Sequence, residues 1–145
     1  MKIHLVSIST ENDLKRAFNI MRELRPHLTF SEYVEIYSQA KLTDNYQIVA
    51  AEFEGKIIAL IGFRFLSDFV RGKHLYIDDL ISTEKFRSQG LGAKLLEFAQ
   101  KRAQESGCKS LRLCTGIENT RAMKFYESNG WSKRSFVFIK KLDSI

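Results

Sequence analysis

Three groups of residues in this chain are of types that do chemistry. The first is Phe86-Arg87-Ser88-Gln89-Gly90-Leu91-Gly92, where two glycines stand at the start of an apolar, helix-spaced segment. Glycines at a strand-to-helix turn let backbone amides approach a ligand closely, and the start of a helix favours negative charge, so this segment suits a phosphate. It lacks the Gly-Lys-Ser/Thr ending of a Walker loop and the first glycine of a dinucleotide fingerprint. The second group is Asn119 and Tyr126, seven residues apart and therefore on one face of a helix. A free phenol is protonated at neutral pH and can act as an acid; equally, an N-cap asparagine and an amphipathic tyrosine would explain the pair. The third is Asp78-Asp79, adjacent acids within a segment that otherwise reads as strand. Neighbours on a strand face opposite sides, so one aspartate is expected to face a ligand unless a bulge intervenes.

Other chemistries find little support. Cys108 and Cys114 are separated by five residues with no second pair, and His4, His27 and His74 are scattered, so no metal is expected. The two cysteines read as reduced packing residues. The N-terminal MKIHLVSIST has no charged region, apolar stretch and cleavage site in sequence, and apolar runs are too short to span a bilayer. A cytoplasmic protein with no membrane partner is the expectation.

The elements that must position these residues follow from periodicity. The 145 residues, 44% of them hydrophobic and with a single proline, suit one domain over 1–145. A first strand is read at residues 3–8. Thr10 with Asp13 and Thr29 with Glu32 resemble capping boxes opening two helices, the first ended by Pro26. From Tyr46 the pattern turns β-branched and aromatic: strands are expected at 47–53, 56–66 and 73–82, joined by turns at Glu54-Gly55 and Arg71-Gly72. A helix then runs from the glycine turn to Gly107, followed by a strand at 110–115, a short helix from Asn119 to Asn129-Gly130, and a last strand at Ser135–Lys141. A strand, a long helix and another strand make a crossover unit, so 73–82 and 110–115 are expected to run parallel in an otherwise antiparallel sheet, an α+β fold.

Taken together, LISTEKFRSQGLG (80–92) and NTRAMKFYESNGW (119–131) resemble the GNAT superfamily of N-acetyltransferases, whose motifs are Arg/Gln-x-x-Gly-x-Gly/Ala and Asn-x-x-Ala-x-x-Phe-Tyr-x-x-x-Gly-aromatic. The resemblance implies a three-layer α/β/α-like fold: about four helices, and a mixed sheet of six to seven strands with a central parallel pair splayed to hold acetyl-CoA. It implies that Arg87, Ser88, Gln89, Gly90, Leu91, Gly92 and Ala93 cradle the pyrophosphate. The backbone of Leu80, Ile81 and Ser82 would pair with the pantetheine arm, Asn119 would hydrogen-bond that arm, and Tyr126 would protonate the departing thiolate. Asp78 and Asp79 fall where polyamine-type relatives carry adjacent acids, and His74 where histone-type relatives carry a catalytic glutamate. Asp78 is the favoured base, with Asp79, His74 and water as alternatives. Ser88 where glycine is common, Thr83-Glu84 for an Asp-Pro pair and Trp131 for phenylalanine are departures that remove no backbone donor.

The charge distribution suits an anionic co-substrate. Residues 1–72 hold nine basic and nine acidic side chains, whereas 73–145 hold fourteen basic and eight acidic, so the net charge of +6 lies in the second half. Acetyl-CoA and a primary amine, on a small molecule or a protein, are the expected partners. The first two helices normally wall the acceptor pocket in this family, and here they offer Arg22, Arg25, His27, Tyr33 and Tyr37. Two rival readings are a non-catalytic acyl-CoA-binding or sensing module and a tRNA-directed toxin. Retention of Tyr126 speaks against the first. The lack of a dense Lys/Arg stripe with interleaved aromatics speaks against the second, so nucleic acid is not an expected partner. A homodimer is compatible with the sequence, which leaves the acceptor, acyl-chain preference and pathway open.

Overall fold

The computed structural model describes residues 2–143, which fall into two compact units divided between Leu113 and Cys114. In the first unit, strand β1 (His4–Ile8) leads to helix α1 (Glu11–Leu24). Thr10 and Asp13 form the capping box: the Thr10 hydroxyl accepts from the Asp13 N–H, and the Asp13 carboxylate accepts from the N–H groups of Ser9 and Thr10. Leu14, Ala17, Ile20 and Met21 are its buried stripe, and Arg25 caps its C-terminus ahead of Pro26. Helix α2 (Phe30–Asp44) opens on the Thr29–Glu32 capping box and buries Tyr33 and Tyr37, one turn apart. It stops at Asn45, whose φ of 53° is left-handed.

Strands β2 (Gln47–Phe53), β3 (Lys56–Asp68) and β4 (Gly72–Ser82) form the expected antiparallel meander. The Glu54-Gly55 loop has φ of 50° and 76°, the two left-handed residues that match a tight hairpin to the twist of its strands. A 3₁₀ turn (Glu84–Phe86) and helix α3 (Leu91–Glu105) then carry the chain to β5 (Leu111–Leu113), which runs parallel to β4 as the crossover requires. The sheet order is β1-β2-β3-β4-β5. Ile48, Ala50 and Leu60 pack with α1 and α2 on one face. On the other, Phe63 meets Phe98 of α3 edge to face, with the Arg102 guanidinium over both rings. Most of β3 is therefore buried on both sides.

The second unit contains helix α4 (Thr120–Ser128). Trp131 folds back on it, its N–H donating to the Tyr126 carbonyl at 3.0 Å and its ring meeting the Tyr126 ring at 5.7 Å.

Two expectations about the sheet need correction. It has five strands among the described residues, not six to seven, because no strand forms at Ser135–Lys141. That segment has strand composition, yet Phe136, Val137, Phe138 and Ile139 are exposed and the segment enters no ladder. β-propensity registers as a strand only where a neighbour accepts the backbone hydrogen bonds. In addition, the parallel pair stands at the end of the sheet rather than at its centre. β5 pairs with Leu75, Tyr76 and Ile77 alone, so β4 continues from Asp78 to Ser82 with that edge unpartnered among the described residues.

Candidate active site

The pairing of β3 with β4 slips by one residue where Gly62 lies opposite Asp79 and Phe63 opposite Ile77, leaving Asp78 as the extra residue of a β-bulge. A regular strand would send Asp78 and Asp79 to opposite faces. The bulge sends both into one cavity of about 340 Å³, walled by α1, α2 and the sheet.

Each carboxylate is held by specific donors. Arg64 grips Asp78 with both arms, Nε to Oδ1 and Nη2 to Oδ2 at 3.0 Å each, while its Nη1 donates to Asp44 Oδ2 at 2.9 Å. Asp79 accepts from the Tyr46 hydroxyl at 2.5 Å and from Arg25 Nε at 3.2 Å; Arg25 Nη2 also donates to the Asp78 carbonyl at 2.9 Å. Burial pushes the Asp78 carboxyl above its ordinary value, against the pull of Arg64 and with help from the neighbouring charge of Asp79. Burial, then the Asp79 charge, drives the Tyr46 phenol well above its own range, so it remains a donor.

Gly62 makes the Tyr46–Asp79 contact possible. A Cβ there would stand on the Tyr46 hydroxyl and 2.8 Å from Asp79 Oδ2. Sequence reasoning missed Gly62, Tyr46 and Arg64 as parts of the site. One signal was available: a glycine inside an apolar strand marks a bulge or a close approach, and this one marks both. Among the rival bases, His74 is fully buried and outside the cavity lining. Its Nδ1 lies 3.0 Å from the Gly72 carbonyl, and its Nε2 accepts from Arg112 Nε at 3.3 Å, so both ring nitrogens are used in packing.

The glycine turn has the geometry of an anion cradle. Ser88 (φ 64°) and Gly90 (φ 78°) are left-handed, and Gly90 is the N-cap of α3 with no side chain to satisfy the first-turn N–H groups. A Cβ at Gly90 would meet nothing within 4 Å, so the space beside the turn is open. Leu91 buries its side chain in the core and offers only its backbone; Gly92 and Ala93 follow in the same first turn. Arg87 and Gln89 are exposed. Leu80, Ile81 and Ser82 lie in the unpartnered stretch of β4, where an extended ligand could add as a strand. The turn is also tied to α1, a connection not expected from sequence: Thr83 Oγ1 donates to Glu23 Oε2 at 2.6 Å and the Glu84 N–H to Glu23 Oε1 at 3.1 Å.

In the second unit Asn119 is the N-cap of α4, its Oδ1 accepting from the Ala122 N–H at 3.1 Å. That leaves its amide nitrogen as a donor. Tyr126, two turns on, is half-buried, and burial pushes its phenol above the ordinary value. Cys108 and Cys114 are unpaired thiols. Among the described residues no group of His, Cys, Asp and Glu could hold a metal ion, and no helix is long and apolar enough to cross a membrane.

The model of the Acetyltransferase (GNAT) family matches residues 11–131. The chain is 29% identical over 139 residues to an N-acetyltransferase of Bacillus subtilis (strain 168), YhdJ, covering 95% of this chain and 98% of that protein. It is 25% identical over 144 residues to the thialysine N-epsilon-acetyltransferase of Bos taurus, covering 90% and 85%. The crystal structure of glucosamine-6-phosphate N-acetyltransferase from Arabidopsis thaliana superposes with a TM-score of 0.76 at 26% identity, covering 99% of this chain and all of that one.

Proposed function

The chain belongs to the GNAT acetyltransferase family and is an acetyl-CoA-dependent N-acetyltransferase, and we propose that the amine it acetylates is a small molecule taken into the cavity shared by Asp78 and Asp79. The observation that carries this reading is the bulge, which turns two neighbouring carboxylates into one cavity where a regular strand would present one. Relatives named for thialysine and glucosamine 6-phosphate support an acceptor of this size. The rival reading as a non-catalytic module gives way to the enzyme assignment.

Acetyl-CoA supplies the thioester whose acetyl group is transferred. The residues present fit such a ligand: the uncapped first turn of α3 offers N–H groups to a pyrophosphate, and Leu80–Ser82 offer an open strand edge to an extended arm. A primary alkylamine is an ammonium ion at neutral pH, since its pKa is about 10. Two carboxylates attract it, and one must take its proton before nitrogen can attack. Asp78 suits the second task, because burial raises its affinity for a proton and a carboxylate gripped by Arg64 still has lone pairs to accept one, directly or through a water. Tyr126 is the residue assigned to return a proton to the departing sulfur, with its raised pKa keeping it protonated. A β4 backbone amide polarises the acetyl carbonyl.

The test is a panel of small amines and peptides assayed by release of free CoA thiol. Turnover confined to small amines is expected, and a preference for peptide amino groups would overturn the reading.

A further inference from the structure

We propose that the acceptor is amphoteric, carrying a carboxylate or phosphate besides its amine, and that Arg25 selects it by binding that anionic group. This rests on the acceptor occupying the Asp78–Asp79 cavity.

The argument begins with how the charges of the cavity are matched. Two arginines line it with the two aspartates, and neither carboxylate is bare: Asp78 has Arg64 on both oxygens, and Asp79 has Arg25 on one and the Tyr46 hydroxyl on the other. Asp44, outside the lining, holds Arg64 from behind. A cavity built for a diamine would keep a carboxylate in reserve for the second ammonium. Here the second cation would meet a guanidinium beside each acid.

The two arginines are not equivalent. Arg64 has all three nitrogens engaged by carboxylates and its side chain is 20% exposed. Arg25 uses Nε and Nη2, while its Nη1 has no hydrogen-bond partner among the described residues, and its side chain is 42% exposed. It is fixed nonetheless. Its backbone caps α1, Pro26 follows, and its two bonds to β4 hold the guanidinium plane at the cavity wall. A pre-positioned guanidinium with one free edge is a receptor for a carboxylate or phosphate oxygen. The exposed His27, which also lines the cavity, stands two residues on and adds a second donor at the same end.

The experiment compares acceptors that differ in one group: 5-aminopentanoate, pentylamine and cadaverine, with their shorter and longer homologues, each measured as kcat/KM with acetyl-CoA. The parent enzyme is expected to prefer the ω-amino acid over the diamine of equal length by about tenfold or more, with the plain amine between them. Arg25→Gln should bring that ratio to within about threefold of unity or invert it, since Asp79 then has an uncompensated charge; Arg25→Lys should keep part of the preference. The ratio of two substrates on one preparation is independent of the folded fraction, so partial unfolding of a variant does not mimic the result. A parent that prefers the diamine, or a ratio unchanged in Arg25→Gln, would overturn the role of Arg25 while leaving the small-amine acceptor standing. No turnover of any small amine beside turnover of peptides would overturn both.

Discussion

Asp78 and Tyr126 carry the proton chemistry proposed for this enzyme, and each makes a separate prediction. Asp78 is held above the ordinary carboxylate range mainly by burial, so its base form is lost as pH falls through that raised value. Between there and the acceptor's own pKa near 10, the carboxylate supplies a base that solvent lacks. Asp78→Asn should therefore lower kcat/KM most within that window. The gap should close at alkaline pH as the amine deprotonates itself, and at acid pH as the parent carboxyl is protonated. A loss that is uniform with pH would make Asp78 a structural residue, and no loss would move the role to Asp79 or water. Tyr126→Phe should keep its affinity for acetyl-CoA while single-turnover rates fall by about 100- to 10,000-fold, the usual contribution of a positioned acid. Rates equal to the parent's would return Tyr126 to a packing role beside Trp131.

At the scale of elements, the β3–β4 bulge and its glycine decide what the site can be. Gly62→Ala would drive a methyl group into the Tyr46 hydroxyl and against Asp79, neither of which is the free end of a flexible chain. The expected cost is about 1–3 kcal/mol of stability, as for other overpacked cores, seen as a lower Tm. Acceptor turnover should fall further than the folded fraction explains, and acetyl-CoA affinity measured by calorimetry should be little changed, because the α3 turn lies elsewhere on the chain. An unchanged Tm with normal turnover would show that the strand relaxes without disturbing Asp79. The capping boxes at Thr10 and Thr29 belong to this scale too. They were legible because a cap spans four residues, and its hydrogen bonds need nothing beyond them.

Over the whole molecule, the excess of basic side chains in 73–145 gives the chain a field that favours a polyphosphate ligand. Raising NaCl from about 50 to about 500 mM shortens the screening length from roughly 14 to roughly 4 Å, so acetyl-CoA should bind severalfold more weakly in calorimetry at the higher salt. A constant dissociation constant would assign the affinity to neutral hydrogen bonds at the α3 turn and along β4. The features legible before any coordinates were those written locally: helix stripes at a 3.6-residue period, a glycine turn before an apolar helix, the Glu54-Gly55 hairpin, and the crossover that makes β4 and β5 parallel. Family likeness rested on two such local motifs, 80–92 and 119–131. What tertiary structure alone decided depends on partners distant in sequence. Asp78 and Asp79 meet Arg64 and Arg25 fourteen and fifty-four residues away, and they share a cavity only because β3 and β4 slip register by one residue. Ser135–Lys141 shows the same dependence from the other side: its composition favours a strand, but a strand exists only when another segment takes up its backbone hydrogen bonds, and no run of residues carries that information by itself.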